Sequence, residues 1–61
     1  MAPKKLAQYN RALKGAQMML EMSEIEPASA IKQAGSDEGI PYGDEMGEFH
    51  VWALKQLGLS P

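Results

Sequence analysis

The amino-acid sequence predicts an all-α fold: a small domain with a long N-terminal helix, a short middle helix and a C-terminal helix. Two observations support this prediction. Apolar residues recur at steps of three and four in the first and third parts of the chain, which is the period of an α-helix and not that of a strand. Proline and glycine are concentrated around Glu26-Pro27 and from Gly35 to Gly43, so they divide the chain into three segments.

The first helix is predicted from Pro3 to Ser23. Proline suits the first helical position because its missing N–H would have no intrahelical partner there. The apolar face follows the helical period, and it consists of Leu6, Tyr9, Leu13, Ala16 and Leu20. We expect this face to form part of the core.

The second helix is predicted from Pro27 to about Ser36 or Glu38, antiparallel to the first. Proline disfavours a helical conformation at the preceding residue and then fits a helix start. The apolar side of the second helix is narrow and contains Ala30, Ile31 and Ala34. Gly39 is predicted to take the left-handed conformation after the last turn, with Ile40 folding back on that turn.

The third helix is predicted to start near Pro41 or Asp44. Acidic residues fill its first two turns, where the helix dipole stabilises negative charge. Its apolar series is Tyr42, Met46, Phe49, Ala53 and Leu57. Gly58 and Leu59 predict the end of the helix, with Leu59 meeting Leu54. The first and third helices are expected to form the main layer, and the second a short bridge between them.

Length and composition limit the class of protein. Sixty-one residues predict one helical domain over 1–61, with a thin core because a chain this short hides only about 60% of its unfolded surface. The sequence contains no cysteine and has a net charge of −2. It has no apolar run of signal-peptide length and no stretch of about 18 apolar residues, so we expect a cytoplasmic protein without a membrane segment.

The glycine-rich acidic stretch from Gly35 to Gly47 matches no known ligand loop. Within Asp37 to Glu48, Gly39 and Pro41 occupy positions where an EF-hand requires oxygen ligands. The stretch also lacks the lysine of a phosphate-binding loop. His50 has no orienting side chain three or four residues away. We therefore expect no metal, no cofactor and no enzymatic activity.

Basic residues on the first helix give an alternative function. Lys4, Lys5, Arg11 and Lys14 could form a patch for a nucleic-acid-associated accessory or regulatory protein. The negative net charge and the carboxylates at the start of the third helix both oppose a phosphate backbone. Nucleic acid is therefore the less favoured partner.

The distribution of apolar residues favours a protein partner. Scattered apolar side chains are normal on a protein surface, but Met18 and Met22 lie away from the core stripe and the third helix is apolar around more than half its circumference. We expect a non-enzymatic interaction module, completed by homodimerisation or by docking on a larger protein; a virion or assembly component would look the same. The expected interface residues are Met18, Met19, Met22 and Trp52. The expected core or anchor residues are Leu6, Tyr9, Leu13, Leu20, Ile31, Tyr42, Met46, Phe49 and Leu57.

Overall fold

The computed structural model describes residues 1–59, which form three helices and no strand. Helix α1 spans Pro3–Met22, α2 spans Pro27–Asp37 and α3 spans Asp44–Gln56. The predicted all-α, three-helix fold is confirmed. Residues 60 and 61, the end of the predicted domain, lie outside the described range. None of these three helices has the length and apolarity that crossing a membrane requires.

The turn between α2 and α3 forms as the glycine and proline pattern predicts. Gly39 has a φ of 85°, a conformation that residues with a side chain rarely adopt. Its N–H donates to the carbonyl of Ser36 at 3.0 Å, and the N–H of Ile40 donates to the carbonyl of Gly35 at 2.9 Å. The Ile40 side chain is buried against the core. The glycine-rich stretch from Gly35 to Gly47 thus contains the end of α2 and the start of α3, with Gly43 at a φ of 113° before α3.

Helix α2 packs closely along α1, and this pair is more extensive than the contact of α1 with α3. The predicted main layer of first and third helices is therefore wrong. The physical reason is the small size of the facing residues. A Cβ placed on Gly15 would lie 3.5 Å from Cβ of Ala34, and Ala12, Ala16 and Ala30 are fully buried. Without large side chains between them, the two helices approach closely.

Helix α2 also packs closely on α3, through the residue next to Ala34. A Cβ placed on Gly35 would lie 2.9 Å from Sδ of Met46 and 3.1 Å from Cδ2 of Phe49. Adjacent residues of α2 thus face different helices, with Ala34 towards α1 and Gly35 towards α3. The short middle helix is a central packing element rather than a bridge.

Aromatic rings connect α1 with α3. The Tyr9 and Trp52 ring centroids lie 5.2 Å apart, and those of Phe49 and Trp52 lie 6.2 Å apart. On the outer edge of this cluster, Nζ of Lys5 lies 3.8 Å from Oε2 of Glu48. The aromatic cluster supplies much of the bulk of a core whose ten buried apolar residues include five alanines.

Burial divides the nine residues predicted as core or anchor into three groups. Tyr9, Ile31, Met46 and Phe49 are buried, while Leu13, Leu20 and Leu57 are half-buried against the core. Leu6 is 40% exposed and Tyr42 is 68% exposed, so neither is a core residue.

The exposure of Leu6 and of Tyr42 has a geometric cause in each case. The buried face of α1 is centred on Ala12 and Ala16, about 100° around the helix from Leu6. Tyr42 precedes the first residue of α3, Asp44, and therefore does not share the helical face of Met46.

Candidate protein-binding surface

Three methionines surround a shallow cleft at the C-terminal end of α1. The cleft has a volume of about 370 Å³, and we call it the methionine cleft; its lining consists of Gly15, Met18, Met19, Met22 and Ser23. Met18 is 52% exposed and Met22 is 79% exposed, while Met19 packs partly against the core. Thioether side chains are flexible and polarisable, which suits them to contact a partner surface of irregular shape.

Helical spacing places these methionines together. Met18 and Met22 are one turn apart on α1, and Met19 lies beside them on the side nearer the core. Helix α1 ends at Met22, and the N–H of Ser23 donates to the carbonyl of Met19 at 3.0 Å. The two exposed side chains therefore stand on helical backbone.

The N-terminal half of α1 is fixed to the end of α2 by polar contacts. Nε of Arg11 donates to Oε1 of Glu38 at 2.7 Å, and Nε2 of Gln8 donates to the backbone carbonyl of Glu38 at 2.8 Å. Because the end of α2 lies beside the early turns of α1, the two helices are antiparallel, as predicted. These contacts lie at the end of the α1–α2 pair opposite the methionine cleft.

Gly15 lies against α2 within the fold. A Cβ placed on Gly15 would lie 3.5 Å from Cβ of Ala34 in the same chain. The close approach is thus used by α2 within the fold. Gly15 also contributes to the lining of the methionine cleft.

Trp52 does not share a surface with the three methionines. Its indole is half-buried against Tyr9 and Phe49 on the α3 side of α1, and it takes no part in the lining of the methionine cleft. The four predicted interface residues therefore divide into two groups. The structure brings Met18, Met19 and Met22 together and leaves Trp52 at the edge of the aromatic cluster.

A second apolar surface lies away from the four predicted interface residues. A groove of about 550 Å³ runs between the start of α2 and the later turns of α3, and its lining consists of Glu26, Pro27, Ala28, His50, Val51, Leu54 and Leu59. Val51 is 45% exposed there. The sequence signal was weak because the lining comes from three separate segments, and their approach depends on how α2 crosses α3.

His50 also borders a smaller cleft of about 390 Å³ with Lys32, Tyr42, Gly43, Met46 and Gly47. The imidazole is half-buried, at the boundary between the apolar groove and this cleft. Within residues 1–59, no three His, Asp or Glu side chains converge in a way that could hold a metal ion.

The basic side of α1 is partly neutralised by acidic neighbours. Arg11 pairs with Glu38, and Lys5 pairs with Glu48. The cationic Nζ of Lys5 also lies 5.7 Å from the centre of the Tyr9 ring. Two of the four basic residues of the predicted patch therefore face carboxylates of the same chain.

Comparison with known proteins found no match to this chain among protein-family models, curated proteins or solved structures.

Proposed function

We propose that this chain is a non-enzymatic helical interaction module whose first partner is a second copy of itself, bound through the methionine cleft. The main support for the proposal is the exposure of Met18 and Met22 on helix α1, beside the half-buried Met19. Fully burying a methionine side chain contributes about 1.5–3 kcal/mol. Burying these side chains in an interface would therefore favour association of two chains.

The composition of the core gives a second reason. Half of the buried apolar residues are alanine, and Phe49 and Ile31 are the largest fully buried side chains. Alanine removes little apolar area from water, so the core stabilises the fold weakly. Chains below about 70 to 80 residues commonly gain stability from an additional device, such as a partner subunit. A dimer that covers the methionines would provide it.

The nucleic-acid alternative has less support. Ion pairs with Glu38 and Glu48 reduce the positive charge that Arg11 and Lys5 offer to a phosphate backbone. Binding to phosphate weakens steeply with added salt, whereas apolar association does not. A salt series on any complex of this protein would separate the two classes.

Sedimentation velocity over a concentration series tests the proposal. From about 10 µM to about 1 mM, which covers association free energies of roughly 4 to 7 kcal/mol, the wild-type chain is expected to shift from monomer to dimer. Met18→Glu and Met22→Glu should each abolish the shift while circular dichroism retains the helical signal, because both side chains are exposed in the monomer.

Val51→Glu is the matched control, since Val51 is similarly exposed on α3 and outside the methionine cleft. It is expected to dimerise like the wild type. A wild-type chain that stays monomeric throughout the series, or a dimer that Met18→Glu leaves intact, would contradict the proposal.

A further inference from the structure

The exposed face of α1 carries opposite charges on either side of Met18. Lys14 lies about one turn before Met18 and Glu21 about one turn after it. Lys14 and Glu21 are seven residues apart, so on an ideal helix their directions differ by only about 20°. Both side chains are exposed, and within residues 1–59 neither forms an ion pair.

This arrangement is self-complementary. The midpoint between Lys14 and Glu21 falls between Gln17 and Met18, so a two-fold axis at that point would pair each charge with the opposite charge of another copy. A two-fold interface requires that residue i of one copy meets residue j of the other and the reverse. An antiparallel α1 pair centred there satisfies this condition at both ends.

We propose that two copies of this chain associate through antiparallel pairing of their α1 helices, with the two Met18 side chains meeting at the axis and a Lys14–Glu21 ion pair on each side. This inference rests on the proposed function and specifies its geometry. The axis passes beside the methionine cleft, so pairing also covers part of Met22. Helices α2 and α3 pack on the other sides of α1 and leave this face open.

The charge pattern also argues against parallel pairing. In a parallel pair in register, Lys14 would face Lys14 and Glu21 would face Glu21, and like charges directly opposed are unfavourable. Antiparallel pairing converts both repulsions into attractions. The pattern therefore sets orientation, while the methionines supply the apolar contact.

Charge reversal tests the pairing in a way that separates it from the proposed function. Lys14→Glu alone gives two glutamates that oppose each other twice in a dimer, and Glu21→Lys alone gives two lysines. Each is expected to weaken dimerisation about 10-fold in sedimentation equilibrium at low salt. An equimolar mixture of the two variants should restore association, because the heterodimer again places opposite charges together. The double variant with both changes should also dimerise like the wild type.

Lys32→Glu is the matched control, because it makes the same change of charge at an exposed position of α2. It should leave the dimer unchanged. If the wild type dimerises through Met18 but neither charge reversal alters the dissociation constant, the antiparallel pairing is wrong and the proposed function stands. If the wild type does not dimerise, both fail.

Orientation is measured directly with one spin label per chain. The natural sequence has no cysteine, so Ala7→Cys provides a unique attachment site on the exposed face of α1. In the antiparallel pair the two labels lie at opposite ends, about 30 Å apart, whereas a parallel pair in register would bring them to about 10 Å. A separation near the shorter value would overturn the inference.

Discussion

The ring of Tyr9 meets the ring of Phe49 edge to face, with centroids 5.0 Å apart and planes at 65°. This contact joins α1 to α3 across the centre of the protein. Phe49 is fully buried, and it also lies against Gly35 of α2. From α3, the Phe49 side chain thus contacts both other helices. A substitution at Phe49 should therefore lower the free energy of unfolding more than one elsewhere.

Phe49→Leu is expected to lower the free energy of unfolding by about 1–2 kcal/mol, because leucine loses the edge-to-face contact and leaves part of the ring volume empty. Urea denaturation followed by circular dichroism measures the change. Val51→Ala, on the exposed side of the same helix, should stay within about 0.5 kcal/mol of the wild type. Equal effects at the two positions would show that Phe49 is not the centre of the core.

Two helical glycines should respond oppositely to alanine. In α3, a Cβ on Gly47 would meet no atom within 4 Å, so Gly47→Ala should raise stability by about 0.5–1 kcal/mol through helix propensity. In α2, a Cβ on Gly35 would press on Met46 and Phe49. We expect Gly35→Ala to lower stability by about 1 kcal/mol, because overpacking exceeds the gain in propensity. Thermal unfolding of both variants checks this contrast, and stabilisation by both would contradict the close α2–α3 packing.

The sequence predicted the helices well because local rules determine them. Each of these signals acts within a few residues of the helix end that it marks. They are proline at the starts of α1 and α2, glycine and proline after α2, and acidic residues at the start of α3. The end of α3 follows the same rules, since the N–H of Leu59 donates to the carbonyl of Leu54 at 2.8 Å. Helix boundaries of this kind can be predicted from the local sequence without knowledge of the tertiary structure.

Packing was harder to predict because periodicity identifies a face but not the helix that covers it. On α1 the periodicity predicts a core stripe from Leu6 to Leu20, whereas the buried centre is displaced towards Ala12. Alanine contributes little to an apolar periodicity, yet its small side chain permits the close approach of α2. The exposure of Met18 and Met22 could be predicted, because both residues lie outside the predicted core stripe and outside the observed buried face of α1. The apolar groove beside Val51 could not be predicted, because three separate segments form it.

The contact of Arg11 with Glu38 should contribute modestly to stability. The atoms lie 2.7 Å apart, but the side chains are 62% and 33% exposed, so solvent screens the attraction. A double-mutant cycle with Arg11→Met and Glu38→Gln is expected to give a coupling of about 0.2–1 kcal/mol that decreases in high salt. A coupling several times larger, or one unaffected by salt, would mean that the pair is shielded from solvent in solution.

Methyl NMR of methionine-labelled protein shows whether a second copy covers the methionine cleft, as we propose. The labelled chain contains its own control, because Met46 is buried in the monomer while Met18 and Met22 are exposed. As the concentration rises from about 10 µM to about 1 mM, the methyl signals of Met18 and Met22 should shift together along one binding curve. The Met46 signal should stay in place. Met18 and Met22 signals that stay constant over the whole range would rule out a dimer that covers the methionine cleft.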